Sequence, residues 1–535
     1  MIIKNNGDLS IQKFSIYSTK NNTYYYSGLI WTPGILSGLD TVKYLDQIYT
    51  EKSIIPFNSL LGAFIIVIVS SKNEVIAFTD NSNMRSIYYN DNSVSSSLLE
   101  IAKHCSSSVN DRYAVEYLLN GNISFGKTLF YEIKNIRYSE YIVVKNMKIA
   151  IIDKGIGDIT KKSMFNDIND FFDNLAYSIK NRRVTLSLTG GYDSRMVYAC
   201  LYKKVKVSPF ISGDNLKNPD LIYAKKVAKS VDDSLEIISM GKPEISTDAI
   251  SKLLKFSDCT QEYLKDGFIR VFDFLEKRKQ SDFDLYISGD GGPRHKDWYW
   301  IQDWPFYNKK KTNLDKFYKQ RIELVHVDYP LSDQYQKHTG IIKSDIINNL
   351  KKITKETNTK SYDSFGFEML GYTNKMIYNN FSKVIDSYAP LWEIELVRHS
   401  YNLPRKKRIR NYSMRDATTK ASKEIAKIRT VYGPSASTEY KFLFQDTFLW
   451  GVDYIKKVIR LFSRKIIKKS LFVTNPTTWS IKTDIYKNPY LKEAILYAKK
   501  KNYIDNDVDY KELPSSLVTR IVELYLINAE LTKGK

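Results

Sequence analysis

Apolar residues alternate with polar ones, or gather in β-branched and aromatic blocks, through most of the first 155 residues. "TYYYSGLIW", "GAFIIVIVSS", "EVIAFTD", "SIYYND" and "EYIVVKNMKIAIID" are of this kind, with Asn, Asp and Gly between them. A pleated strand turns successive side chains to opposite faces, so such runs bounded by turn residues predict strands. Two stretches, around 96–104 and 111–120, read as helices instead. From about residue 165 the rhythm becomes strand and helix in turn. "VTLSL" precedes "SRMVYACLYKK", "VSPFIS" precedes "DLIYAKKVAKSV", "SLEIIS" follows, and "FDLYISGD" comes after a long helical stretch. That alternation predicts a parallel sheet with crossover helices. Beyond about 310 nearly every stretch has a helical pattern.

These rhythms divide the chain into an α+β domain over 1–160, an α/β domain over 161–440 and a helical, basic extension over 441–535. A length of 535 residues and a hydrophobic share of 43% suit a globular protein of several domains. The longest apolar run, "LLGAFIIVIV" over 60–69, is about half a membrane span and reads as a buried strand. The opening "MIIKNNGDLS" lacks the apolar core of a signal peptide, and Cys105, Cys200 and Cys259 form no CxxC pair. A soluble protein of the cytoplasm, a reducing compartment, is therefore expected. Lys and Arg number 81 against 59 Asp and Glu, a formal charge of +22. The excess is concentrated, since residues 401–470 hold 18 Lys/Arg against 5 Asp/Glu. Such a patch suits a polyphosphate, a nucleic acid or an anionic membrane surface. The five histidines are not paired at ligand spacing, so the sequence carries no zinc signature.

The richest chemistry lies in "SLTGGYDSR", residues 187–195, directly after the strand run "RVTL". A glycine pair at a strand-to-helix junction lets the backbone turn sharply and approach whatever sits above the strand end. The helix starting near Ser194 points free N–H groups and its positive dipole end at the same spot. A tight turn that binds nothing is the bland alternative. Asp193 shifts the balance, because a carboxylate there can hold Mg²⁺ on phosphates that the backbone N–H groups contact.

This stretch resembles the S-G-G-x-D-S pyrophosphate loop of the ATP-pyrophosphatase family, whose members adenylate a substrate and release pyrophosphate. Thr189 stands at the first Ser and keeps the hydroxyl; Gly190, Gly191, Tyr192, Asp193 and Ser194 follow. Four further stretches, in order, resemble the asparagine synthetase-like branch. "FISGDNLKNPDLIYAKKVA" (210–228) is similar to the segment that wraps the adenine, and "YISGDGG" (286–292) to the start of the second active-site motif. "APLWEIELVRHSYNLP" (389–404) is similar to the branch's helix-and-proline segment. "IAKIRTVYG" (425–433) is similar to the segment whose catalytic lysine lies six residues before a glycine, the spacing of Lys427. The stretches 60–101 and 129–144 resemble the glutaminase domain of asparagine synthetase, so the likeness covers most of residues 20–435.

The resemblance implies an Ntn-hydrolase-like layered first domain, a parallel-sheet ATP-pyrophosphatase domain, and ATP with Mg²⁺ as cofactors. It assigns Thr189, Gly190, Gly191 and Ser194 to the pyrophosphate and Asp193 to the metal. Leu188, Ser212, Gly213, Ser288 and Gly289 would frame the adenosine. Lys427, with Arg429 beside it, would stabilise the transition state, and Asp290 would take a proton from the attacking amine. The expected reaction is AMP-forming amide ligation, in which a small-molecule or glycan carboxylate is adenylated and then receives ammonia or an amine.

Two departures bear on this expectation. The branch's glutaminase uses Cys as its second residue, with the freed terminal amine as base. Here the chain reads Met1-Ile2-Ile3 and its first cysteine is Cys105, so glutamine hydrolysis by that route is expected to be lost. Relatives with the same loss, β-lactam synthetase and lasso-peptide cyclases, use an amine already present in the substrate. The second motif of the branch continues into an Asp-Glu pair whose Asp helps hold Mg²⁺, whereas "GDGGPRHKDWYW" puts Pro293 and Arg294 there. Three alternatives stand: Asp297 reaches the metal, Asp193 and the nucleotide hold it alone, or ATP binds without turnover.

Two more features concern substrate and partners. "WYWIQDW" (298–304) is either a stacking platform for a sugar ring or a buried loop. "DYIKKVIRLFSRKIIKK" (453–469) places Ile455, Val458, Ile459, Phe462 and Ile466 on one helical face among seven Lys/Arg. Such a face either packs on the protein or makes peripheral contact with an anionic membrane, as an enzyme acting on a lipid-linked glycan would need. Rival functions are asparagine synthesis from free ammonia, a catalytically inactive ATP-binding scaffold, and an RNA-modifying adenylating enzyme such as tRNA-lysidine synthetase. The last carries its loop near the N-terminus; about 185 residues precede it here, so nucleic acid is not the expected partner. A homo-oligomer remains open.

Overall fold

The structure is a computed structural model. It describes residues 1–533 apart from 72, 214, 240–245, 265, 297–312, 316–317, 319–331 and 354–360, together with 467–484. The protein is mixed α/β, with two antiparallel sheets, one parallel sheet and many helices.

The first region holds β1 (Ile2–Lys4), β2 (Leu9–Ser10), β3 (Ser15–Ser18), β4 (Asn22–Trp31), β5 (Leu61–Ser70), β6 (Glu74–Thr79), β7 (Tyr88–Tyr89), β8 (Ser93–Ser95), β9 (Lys134–Asn135), β10 (Glu140–Lys145) and β11 (Lys148–Asp153). They form a sheet in the order β2-β1-β8-β7-β9 and another in the order β11-β10-β6-β5-β4-β3. The alternation along β5 explains their stacking. Ile65 and Val67 join Ile3, Ile87 and Val94 between the two sheets. Phe64, Ile66 and Ile68 face the other way, onto Val42 and Leu45 of the helix Leu39–Lys52 and onto Ile394 and Val397. Both faces are covered, which is why the strand reads as an unbroken apolar run.

The helices at Leu98–His104 and Asp111–Asn120 fall where the helical periods predict them. The second is capped by Asn110, whose side chain accepts from the Arg112 and Tyr113 N–H groups at 3.1 and 3.3 Å. Alanine at 110 is expected to lower unfolding free energy by about 1 kcal/mol, measured by denaturant titration.

The parallel sheet contains β12 (Val184–Ser187), β13 (Val207–Ser212), β14 (Glu236–Ile238), β15 (Leu285–Ile287) and β16 (Asp386–Tyr388), in the order β14-β13-β12-β15-β16. Val184 pairs with Val207 on one side and with Leu285 on the other. β16 is an exception within the stretch beyond about 310, where a helical pattern is expected nearly throughout. Its three residues carry no readable period, and its place follows from pairing with β15.

The final helix, Ser515–Thr532, packs back onto the first two regions. Arg520 donates to the Glu262 carboxylate at 2.7 Å and to the Leu118 and Leu119 carbonyls at 2.8 and 2.6 Å. Glu523 accepts from the Tyr117 hydroxyl at 2.8 Å and from the Tyr263 and Leu264 N–H groups, both at 2.6 Å. Among the described residues, no helix is long and apolar enough to cross a membrane.

Candidate active site

Chain order runs outward from β12 through β13 to β14, then returns to the other side of β12 for β15 and β16. Loops leaving β12 and β15 therefore diverge. The crevice between them, beyond the carboxyl ends of the strands, is where open α/β sheets bind ligands. Leu188–Ser194 follows β12 and Ser288–Gly292 follows β15, so the fold brings both candidate motifs to this point.

The first turn is held largely by its own hydroxyls. The Ser194 hydroxyl accepts from the Thr189 N–H at 2.9 Å and lies 3.0 Å from the Thr189 hydroxyl. Asp220, in the 210–228 stretch, accepts from the Gly190 N–H at 3.1 Å. A helix over Asp193–Leu201 begins here. Its first-turn N–H groups have no carbonyl of their own helix to bond.

Packing closes the second turn onto the first. A Cβ on Gly289 would lie 2.3 Å from the Ser194 Cα, and one on Gly292 would lie 2.0 Å from the Asp193 carboxyl. Gly289 has no room for a side chain, and at Gly292 a side chain would displace the Asp193 carboxylate. Asp290 is exposed; it accepts from the Trp392 indole N–H at 3.0 Å and from the Tyr378 hydroxyl at 3.4 Å. Trp392→Phe removes the first of these donors and is expected to cost about 1–2 kcal/mol in a denaturant titration.

Asp193 is the electrostatic centre. Its Oδ1 has no hydrogen-bond partner, and its Oδ2 lies 3.8 Å from the Lys296 ammonium. Burial raises its carboxyl above the ordinary aspartate value, with Lys296 opposing the shift and Asp290 reinforcing it. An unpartnered carboxylate oxygen is the kind of ligand a hard divalent cation takes, while the helix N-terminus that Asp193 begins favours an anion such as phosphate. Among the described residues no group of three or more His, Cys, Asp or Glu is arranged to hold a metal.

Neither family models nor curated proteins match this chain.

The segment around Lys427 is docked on the loop through its backbone. Fully buried Arg195 donates to the Arg429 carbonyl at 2.9 Å, to the Gly190 carbonyl at 3.4 Å and to the Ile428 carbonyl. The Val431 N–H donates to the Gly190 carbonyl at 3.1 Å. The side chains of Lys427 and Arg429 are exposed, Lys427 at the end of the short helix Lys423–Lys427. Tyr432 stacks on Tyr192 with ring centres 6.0 Å apart and leaves most of its own ring in solvent beside the loop.

Leu188 and Ser288 are buried, and the Ser288 N–H donates to the Tyr388 carbonyl at 3.0 Å. Ser212 ends β13, and the Gly213 N–H donates to the Ile238 carbonyl at 3.1 Å. Pro293 and Arg294 lie in a short 3-10 helix, Gly292–His295, with the Arg294 guanidinium 4.6 Å from the Trp392 ring centre. His295, with Nδ1 and Nε2 against the Ser400 hydroxyl and the Leu391 carbonyl, is pushed down to about 3 by burial and stays neutral. Asp297 and the tryptophan-rich 298–304 lie outside the described residues.

Arg195, Lys296, Asp220 and Tyr432 are additions to the sequence reading. Asp220 sits inside a quoted motif, but nothing in the sequence pairs it with Gly190. A groove of about 970 Å³ opens elsewhere, between Tyr89, Cys105, Tyr113 and Tyr131, and holds none of these residues.

Proposed function

We propose that the protein is an ATP-dependent, AMP-forming amide ligase of asparagine synthase type, acting in the cytoplasm without a glutaminase of its own. The observation that carries this reading is the unpartnered Asp193 oxygen at a helix N-terminus, in the crevice where the parallel sheet reverses its strand order. The stacked antiparallel sheets of the first region are compatible with an Ntn-hydrolase-like scaffold, and the parallel sheet with an ATP-pyrophosphatase domain. Cys105, half-buried beside the Asn90 amide, is remote in sequence from β1 and offers no thiol at the start of the chain.

In the proposed reaction a substrate carboxylate oxygen attacks the α-phosphorus of ATP, and pyrophosphate leaves. The amine or ammonia then adds to the acyl carbon and AMP departs. Mg²⁺ supplies charge neutralisation to the phosphates when bound, and Asp193 would hold it. Helix N–H groups at Asp193 and Ser194 face the departing negative charge. Asp290, exposed at the crevice and oriented by Trp392 and Tyr378, is placed to accept the amine proton. Lys427 and Arg429 supply cations from the segment that Arg195 ties to the loop.

A second reading, an ATP-binding protein without turnover, is favoured by Arg294 turning onto Trp392 and by Lys296 approaching Asp193. Pyrophosphate release, measured with ATP, Mg²⁺, ammonia and pooled carboxylic acids, separates the two. Acid-dependent release supports the ligase. Binding of ATP without release from any pool supports the second reading, and absence of binding removes both.

A further inference from the structure

The helix Tyr440–Ile466 carries an apolar stripe on its outer face. Tyr440 is 86% exposed, Phe444 80%, Phe448 74% and Ile455 61%, and Ile459 is also exposed. At 100° per residue these five positions fall within an arc of about 100°. Large exposed hydrophobics collected on one face mark an interaction surface. Ile455 and Ile459 of the 453–469 pattern continue this stripe and face solvent rather than the core, whereas 467–469 lie outside the described residues.

The opposite face fixes the helix's rotation. Buried Asp446 accepts from the Ser435 N–H at 3.1 Å, the Ser435 hydroxyl at 2.9 Å and the Arg415 guanidinium at 2.7 Å. Buried Trp450 lies 4.5 Å from the Arg415 guanidinium and 5.0 Å from that of Arg410. With these anchors in place, Phe444 and Phe448 cannot turn inward.

We propose that this face docks the protein on an anionic lipid surface. Charge selects that occupant. Lys441 and Lys456 are exposed on the helix itself. Arg410 donates to the Thr447 hydroxyl at 3.3 Å at the edge of the stripe, and exposed Lys406 and Lys407 precede it in the "RKKRIR" tract. The sequence of the helix has only two acidic residues, Asp446 and Asp453, and Asp446 is buried in its own ion pair. A second copy of the chain would bring two basic rims together in repulsion. Anionic headgroups neutralise the rim while the rings enter the headgroup–acyl boundary, the division of labour of interfacial amphipathic helices. The proposal does not rest on the ligase reading.

The test is co-sedimentation with vesicles of phosphatidylcholine plus phosphatidylglycerol, against phosphatidylcholine alone, at low and high salt. Wild type is expected to partition onto the anionic vesicles, with weakening by salt. The Phe444→Asp/Phe448→Asp variant should partition at least about tenfold less. Lys406→Glu/Lys407→Glu should partition severalfold less, and both variants should keep the wild-type melting temperature because the altered side chains are exposed. Failure of wild type to bind anionic vesicles overturns the proposal, as does unchanged binding by the phenylalanine variant. A concentration-dependent dimer in sedimentation that the phenylalanine variant abolishes, without vesicle binding, assigns the face to a second copy instead.

Discussion

Alanine in place of Asp193 is expected to abolish the magnesium-dependent ATP binding proposed above and, in the same protein, to raise the melting temperature. The two effects have one cause. Folding places this carboxylate against Gly292 and leaves Oδ1 without a donor. Lys296, 3.8 Å away, compensates only in part, so the charged form is disfavoured relative to water. A carboxyl raised by burial contributes stability that is present below its unfolded value and lost as pH rises through its folded one. The free protein therefore carries a penalty for this carboxylate, and removing the group is expected to return about 1 kcal/mol. The ligand side has the opposite sign, because on the proposed reading the same oxygen meets the metal. Titration calorimetry with ATP and Mg²⁺, beside a thermal melt, checks both halves. A variant that binds as wild type does would take Asp193 out of the site, and a lower melting temperature would mean that the carboxylate is structural.

The second large effect concerns Glu393, fully buried where the first region meets the parallel sheet. Its carboxylate accepts from the Gly62 N–H at 3.0 Å, the Tyr388 hydroxyl at 2.9 Å and the Ser82 hydroxyl at 3.1 Å. Burial, reinforced by Asp80, nevertheless pushes its pKa from 4.5 up to about 7. Between those values the native state holds a proton that the unfolded chain has lost. Stability from this group is thus complete below pH 4.5 and declines as pH rises through 7, by about 3 kcal/mol in all. Lys154 and Lys375, lowered to about 7 by burial, lose their protons at the upper edge of this window, and Lys375 feels the Glu393 charge, so the comparison is read below that edge. Glu393→Gln should lack this share of the decline between pH 4.5 and 7, whatever its absolute stability. Denaturant titrations across that range decide the matter, and superimposable pH profiles for the two proteins would refute the assignment.

Legibility in the sequence followed the range of the interactions. β5 was readable because both its faces are buried and every residue reports it. The loop after β12 was readable because its glycines, hydroxyls and carboxylate act on one another within five residues. β16 was not, since three residues paired to a strand about 100 positions earlier leave no local trace. The Arg195 clamp was equally hidden. Its acceptors are backbone carbonyls, which exist at every position and so mark none, and two of the three lie more than 230 residues away. Exposure of the Phe444 face also required coordinates, because an amphipathic period is the same whether its apolar side meets a core or solvent.

The last helix has a consequence for biosynthesis. Tyr117 and Leu118 emerge from the ribosome early, yet their partners Glu523 and Arg520 are translated some 400 residues later. Until then the helix Asp111–Asn120 lacks the apolar cover that Ser515–Thr532 gives it, and Glu262 lacks the Arg520 guanidinium. The first region therefore holds an incompletely covered, aggregation-exposed face until Ser515–Thr532 has been made. A stop codon a few dozen residues before the end would produce a chain that never leaves that state, although every residue of the candidate active site had been made.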